Sequence, residues 1–134
     1  MRIGLHLSVR RGHREALSRA LDLGLEAFQI LPYRRAPGAD ADFRWEKPDP
    51  AQAREVREAV ARAAAPRLAV HSRYVPYLAS GDAEQRRRST ELLSRELGFA
   101  RDLGGGEFVL HLGAYSPGSS AAEGMRLFAE GVAE

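Results

Sequence analysis

Four short apolar segments, separated by stretches with helical periodicity, constrain the fold of this chain more than any other feature of its sequence. The segments are rich in strand-forming residues and run from Ile3 to Val9, Ala27 to Leu31, Leu68 to His71 and Phe108 to Leu112. Each is nearly continuous in apolar residues, as expected for strands buried on both faces of a parallel sheet. The alternation predicts an α/β fold built from successive βα units.

The stretches that separate the segments carry the signals of helix starts. Asp49 before Pro50 predicts an N-cap followed by proline at the first helical position. Asp82, followed three residues later by Gln85, resembles a capping box. The predicted helices run from Arg14 to Leu23, from Pro50 to about Ala64, from the cap at Asp82 along the stripe Leu93, Leu97, Ala100 and Leu103, and from the cap at Ser120 to Glu134.

Four βα units make half of a TIM (β/α)₈ barrel, which needs eight strands and is typically about 250 residues long. The sequence has 134 residues. We therefore predict a single domain, residues 1–134, formed by the N-terminal four units of a barrel, as a half-barrel or a truncated barrel. Such a sheet has two unpaired edges, which proteins normally cover or close. A missing C-terminal half, a homodimer of two copies, or an open flavodoxin-like sheet would each account for them.

Composition narrows the classes of function. Hydrophobic residues make up 44% of the chain and charged residues 28%, which is typical of a globular domain. The sequence has no apolar run of about 18 residues and no secretory signal at its start, so we expect no membrane partner and a cytoplasmic location. Because it has no cysteine, a bound metal would take imidazole and carboxylate ligands, which suits a hydrolytic zinc or manganese centre.

Two histidines lie at the ends of predicted strands. His71 ends the third segment and His111 lies at the end of the fourth. The carboxyl ends of parallel strands meet at one face of the sheet, where such folds place their active sites. Imidazole binds a divalent metal when its second nitrogen is held by another group, so we predict that His71 and His111 are metal ligands. The alternative is that both are hydrogen-bonded structural histidines.

Other histidines have weaker assignments. His6 and Ser8 lie two residues apart in the first segment and therefore on one face of the predicted strand. We predict that they support the metal ligands or face the substrate without binding the metal; a histidine packed inside the barrel is the alternative. His13 stands among arginines at the start of the first helix and is expected to be solvated.

Two arginine-containing loops are candidates for DNA binding. Arg34 and Arg35 lie on the long loop after the second strand, and Arg73 and Tyr74 follow His71. Arginine grips phosphate, and an aromatic ring stacks on a base or enters a groove. Solvated surface arginines and packing at the barrel rim are the alternatives for these residues.

The segments IGLHLSV, LDLGLEAFQILP, VHSRYVPYLASGD and ARDLGGGEFVLHLGAYSPG, in this order, resemble the endonuclease IV family. That family's barrels open with a Gly-x-His-x-Ser strand, continue with Gly-x-x-Ala-Phe-Gln, and carry His-x-x-Tyr-Leu and His-Pro-Gly stretches. The resemblance implies a trinuclear zinc site whose hydroxide attacks the phosphodiester 5′ to an abasic deoxyribose in DNA. It implies that His71 and His111 are metal ligands. It also implies that Tyr74, and Arg34 or Arg35, belong to loops that penetrate the DNA grooves. It places His6 near the site but not among the principal ligands.

The sequence also departs from that family. Leu112 to Tyr115 replace the family's Pro-Gly-Ser-His, and Val75 to Leu78 replace its Leu-x-Asn-Leu. These changes also fit the wider xylose isomerase-like group, which includes sugar isomerases and epimerases. The family's remaining ligands would fall after Glu134, so we expect this chain alone to be inactive as a nuclease. Half of a sugar isomerase or epimerase, and a non-catalytic dimerising half-barrel, are the alternative functions.

Overall fold

A computed structural model describes residues 3–35, 45–72 and 76–133 of the chain. Its elements alternate between strand and helix apart from one short two-stranded insertion. In chain order they are β1 (Gly4–His6), α1 (His13–Asp22), β2 (Ala27–Ile30), β3 (Arg34–Arg35), β4 (Trp45–Glu46), α2 (Pro50–Val60), β5 (Arg67–His71), α3 (Ala83–Asp102), β6 (Glu107–Val109) and α4 (Ala121–Ala133).

The main sheet has four strands in the order β1-β2-β5-β6, and every pair is parallel. Strands β3 and β4 form a separate antiparallel pair within the segment that the sequence predicted as a loop. The order of the four parallel strands follows the chain, with a helix in each crossover between them. The predicted α/β fold of four βα units is confirmed.

Strand β1 is shorter than its apolar segment. Leu7 still donates its backbone N–H to the carbonyl oxygen of Gln29 at 2.8 Å, but Gly12 donates to the carbonyl oxygen of Val9 at 2.9 Å and turns the chain toward α1. All three residues of β1 are exposed, because this strand has a neighbour on one side only within the described part of the chain. The expectation that every strand is buried on both faces is therefore wrong for β1, and it is also wrong for β6, in which Glu107 and Val109 are exposed.

Helices α2 and α3 begin with the N-capping aspartates that the sequence predicted. The Asp49 carboxylate accepts a hydrogen bond from the backbone N–H of Gln52 at 2.9 Å, with Pro50 as the first residue of α2. The Asp82 carboxylate accepts from the backbone N–H of Gln85 at 3.1 Å before α3. These caps satisfy backbone donors that a helix leaves unpaired in its first turn.

The hydrophobic core lies where the helices pack on the sheet. The sheet contributes Phe28, Ile30, Leu68 and Val70; the helices and their connections contribute Leu7, Val9, Ala16, Leu17, Ala20, Ala53, Val56, Ala100 and Leu103. His13 is buried beside this core with 2% exposure, and its Nε2–H donates to the carbonyl oxygen of Leu31 at 3.3 Å. The prediction that His13 is solvated is wrong, because a backbone carbonyl satisfies its ring on the inner side of α1.

Contacts divide the chain into two compact units. The first comprises residues 1–73 and 98–109 and contains the whole parallel sheet and its core; the second comprises residues 74–97 and 110–134. Within the residues that the structure describes, no helix combines the length and apolarity needed to span a membrane.

Gly4 permits the close pairing of β1 with β2. A Cβ atom at this position would lie 2.3 Å from the carbonyl oxygen of Ala27, which is part of the adjacent backbone. Gly98 in α3 has the opposite environment, since a Cβ there would meet nothing within 4 Å. The two glycines form a matched pair for testing the strand contact.

We expect Gly4→Ala to lower the free energy of unfolding by about 1–3 kcal/mol, because the added methyl group forces the two strands apart. Gly98→Ala should raise it by about 0.5–1 kcal/mol, because alanine is the better helix former. Urea denaturation of both variants followed by circular dichroism measures the difference. Equal stability of the two variants would contradict the close approach of β1 and β2.

Candidate functional site

Three polar side chains meet at the carboxyl ends of neighbouring strands in the first unit. His6 ends β1 and is paired in register with Gln29 of β2, while His71 ends β5. The His6 and His71 rings lie edge to face, with centroids 6.2 Å apart and an interplanar angle of 68°. The structure thus places His6 beside His71. The predicted role of His6 in supporting a metal ligand or facing the substrate stays a prediction.

A backbone contact fixes the chemistry of His71, which is half-buried. Its Nδ1 lies 2.6 Å from the carbonyl oxygen of Ser72. A carbonyl oxygen only accepts hydrogen bonds, so Nδ1 carries the proton and the lone pair of the neutral ring is on Nε2. Histidines that bind metals use this arrangement, in which one nitrogen donates to a carbonyl and the other is the ligand atom.

Gln29 gives His6 the opposite arrangement. The side-chain amide nitrogen of Gln29 lies 2.7 Å from Nδ1 of His6. That amide nitrogen only donates, so Nδ1 of His6 accepts and Nε2 carries the proton. Desolvation of the ring, and then the electrostatic effect of the neighbouring His71 side chain, lower the pKa of His6 below its ordinary value. The neutral form of His6 is therefore favoured.

The sequence analysis did not predict Gln29 as a residue of the candidate site, whereas it did predict Ser8. A signal for Gln29 existed, because it is the one polar residue in the apolar segment Ala27 to Leu31. Ser8 follows the end of β1, and its hydroxyl oxygen accepts from the backbone N–H of Arg10 at 3.3 Å. This contact belongs to the turn between β1 and α1.

His111 belongs to the second unit, and the prediction that it closes a strand is wrong. Strand β6 ends at Val109, whose carbonyl oxygen accepts from the backbone N–H of Ser72 at 2.8 Å, and His111 lies two residues further on in an exposed loop. Gly113 shapes that loop with a φ of 74°, and a Cβ at this glycine would lie 2.4 Å from the carbonyl oxygen of Pro76. Only glycine fits there.

The predicted DNA-binding residues fall on two segments. Arg34 and Arg35 form β3, where they pair with Glu46 and Trp45 of β4. Arg73 and Tyr74 lie outside the described residues. Their proposed contacts with DNA stay predictions.

The donor set of a metal centre is only partly present. Within residues 3–35, 45–72 and 76–133, no group of three His, Cys, Asp or Glu side chains could hold a metal ion. His71 fits the role of a single ligand, because its Nδ1–H is held by a carbonyl oxygen. The trinuclear zinc site that the resemblance implies needs more donors than this part of the chain brings together.

The parallel sheet carries imidazole and amide side chains near the carboxyl ends of its strands, which is the end where barrel-type and open α/β proteins place their sites. The chain belongs to the xylose isomerase-like TIM barrel family, whose profile matches residues 17–134. The match includes three of the four parallel strands, β2, β5 and β6, and all or part of every helix.

The chain is similar to endonuclease IV proteins. It is 32% identical over 132 residues to a probable endonuclease 4 of Solibacter usitatus (strain Ellin6076), covering 98% of this chain and 43% of the relative. It is 34% identical over 111 residues to a probable endonuclease 4 of Methanoculleus marisnigri (strain ATCC 35101 / DSM 1498 / JR1), covering 83% of this chain and 38% of the relative.

A solved structure shows the same similarity. The crystal structure of endonuclease IV from Thermus thermophilus superposes with a TM-score of 0.72 at 26% identity, covering 99% of this chain and 45% of that one. The resemblance to the endonuclease IV family is confirmed. The chain spans less than half the length of each of these proteins.

The titration of His6 tests the geometry of the site. We expect its pKa to lie below the ordinary value of 6.5, because desolvation and the electrostatic effect of His71 disfavour the protonated ring. The unfolded chain then binds this proton more tightly, so the fold loses stability as the pH falls from 6.5 toward the lower pKa of the folded state. His71→Ala should bring the pKa of His6 only part of the way back to its ordinary value, because desolvation is the larger cause of the lowered pKa. An NMR pH titration measures both values, and a wild-type pKa at or above 6.5 would contradict the geometry.

Proposed function

We propose that this chain is the N-terminal part of an endonuclease IV-like, metal-dependent phosphodiesterase that acts on abasic sites in DNA. The observation that carries the proposal is His71, which stands at the carboxyl end of β5 with Nδ1–H donating to the Ser72 carbonyl and its lone pair on Nε2. The similarity to two probable endonucleases 4 and to a solved endonuclease IV supports the choice of reaction. We place the protein in the cytoplasm, where its DNA substrate would lie.

His71 and His111 are the proposed ligands of zinc, with manganese as the second choice of metal. When bound, such a metal supplies a nucleophilic hydroxide at neutral pH and stabilises charge on the phosphate. This chain corresponds to 43% and 38% of its two relatives, and we propose that further ligands come from βα units beyond the matched part. The 134-residue chain is accordingly proposed to be inactive by itself.

DNA contacts are assigned to the two predicted loops. Arg34, Arg35 and Arg73 would hold backbone phosphates, since the guanidinium group forms paired hydrogen bonds to phosphate oxygens. Tyr74 would stack on a base or enter a groove beside the abasic site. These assignments are supported by the resemblance of the loops to those of the endonuclease IV family.

Metal content tests the ligand assignment. At equilibrium with a fixed concentration of free zinc, the purified chain should bind more zinc than the His71→Ala, His111→Ala double variant, because both proposed imidazole ligands are absent from the variant. Mass spectrometry of metals measures the ratio of zinc to protein.

His13→Gln is the matched control for removal of a histidine. His13 is bound to the Leu31 carbonyl, and a glutamine amide can also donate to that oxygen, so this variant should retain zinc. Zinc retained equally by the double variant and the wild type would contradict the assignment of both ligands.

A chimera tests the activity. We would replace the matching 43% of the Solibacter usitatus relative with this chain and assay cleavage of an oligonucleotide that contains one abasic site. We expect the chimera to cleave 5′ to the abasic site and its His71→Ala version to be slower by a factor of about 100 or more, as for loss of a strong electrostatic contribution to the transition state. The 134-residue chain with zinc should not cleave. A folded, zinc-loaded chimera that leaves the oligonucleotide intact would contradict the proposed function.

A further inference from the structure

Two neighbouring imidazoles at the carboxyl edge of the sheet are held in opposite tautomers. His71 donates from Nδ1 to the Ser72 carbonyl at 2.6 Å, which leaves its lone pair on Nε2. His6 accepts at Nδ1 from the Gln29 amide at 2.7 Å, which leaves its proton on Nε2. The rings are 6.2 Å apart between centroids, so adjacent rings carry a lone pair suited to a metal and an N–H donor.

We propose that Gln29 is a positioning residue: it holds His6 in the Nε2–H tautomer, which makes His6 a hydrogen-bond donor to an oxyanion, such as a phosphodiester oxygen, instead of a metal ligand. The identity of the oxyanion rests on the proposed function. The tautomer and the exclusion of His6 from metal binding rest on the contacts of Gln29 alone.

The backbone explains why Gln29 controls His6. The two residues are partners in the register between β1 and β2, so their side chains lie on the same face of the sheet. Gln29 is half-buried between Phe28 and Ile30, which are both fully buried and anchor β2 in the core. A side chain fixed on a buried strand positions its partner more accurately than one on a mobile loop.

The neutral amide of Gln29 has a chemical consequence. A carboxylate at this position would accept a hydrogen bond from Nδ1–H of His6, which places the lone pair on Nε2 and makes the ring a stronger base, as in metal-binding histidines. The amide N–H does the reverse. Since His6 is an exposed residue, we infer that its Nε2–H can meet a ligand from solvent.

NMR spectra that correlate ring protons with ring nitrogens, recorded without metal and well above the pKa of imidazole, give the tautomer of each histidine. We expect Nε2–H for His6 and Nδ1–H for His71 in the wild type. Neutral imidazole has a modest intrinsic preference for Nε2–H, so Gln29→Glu is the decisive variant: it should convert His6 to Nδ1–H. Gln29→Leu should leave only the intrinsic preference, and the tautomer of His71 should stay the same in both variants.

The response of the two rings to added zinc tests the role of Gln29 separately from the proposed function of the chain. Added zinc should shift the Nε2 resonance of His71 and leave the nitrogen resonances of His6 near their metal-free positions in the wild type, whereas in Gln29→Glu both rings should respond. If zinc shifts neither ring, the metal site of the proposed function fails while the assigned tautomers still stand.

Inorganic phosphate is the oxyanion probe. Added to the zinc-loaded wild type, it should shift the Nε2–H resonance of His6, and the shift should be lost in Gln29→Glu. A wild-type His6 in the Nδ1–H form, or one that responds to zinc as strongly as His71, would overturn the role of Gln29. A His6 resonance that phosphate does not move would overturn the role of His6 as an oxyanion donor. Circular dichroism of the variants confirms that each is folded.

Discussion

Parallel hydrogen bonding between β1, β2 and β5 sets the positions of the side chains on which the candidate site depends. The register places His6 opposite Gln29, and β5 ends at His71. Gly4 allows β1 to approach β2, because any Cβ there would meet the carbonyl oxygen of Ala27 at 2.3 Å. A wider separation of these strands would lengthen the 2.7 Å hydrogen bond from Gln29 to His6 and release the His6 tautomer.

His6 and His71 are the same residue type, but their hydrogen-bond partners favour different tautomers. The carbonyl oxygen of Ser72 accepts a hydrogen bond from Nδ1–H of His71, whereas the amide N–H of Gln29 donates to Nδ1 of His6. Phosphodiester cleavage uses both kinds of group, a metal to stabilise charge and hydrogen-bond donors toward phosphate oxygens. This division is consistent with the similarity of the chain to endonuclease IV proteins, of which it spans less than half.

Most of the fold followed from the sequence, but the site followed only in part. Alternating apolar segments and caps such as Asp49 predicted the four βα units, and the end of an apolar run predicted the place of His71. Periodicity could not show that His111 lies past β6, because the apolar run continues after the strand pairing ends. It could not identify Gln29 or the burial of His13 either, because both depend on partners on other strands or loops, 23 and 18 residues away.

The most direct measurement of the central claim is a crystal structure of the zinc-loaded chain, with anomalous diffraction recorded at the zinc absorption edge. We expect an anomalous peak about 2.0–2.1 Å from Nε2 of His71, with Nδ1 of that ring still bound to the Ser72 carbonyl and with His6 outside the coordination sphere. A zinc ion bound to His6, or to Nδ1 of His71, would contradict this expectation.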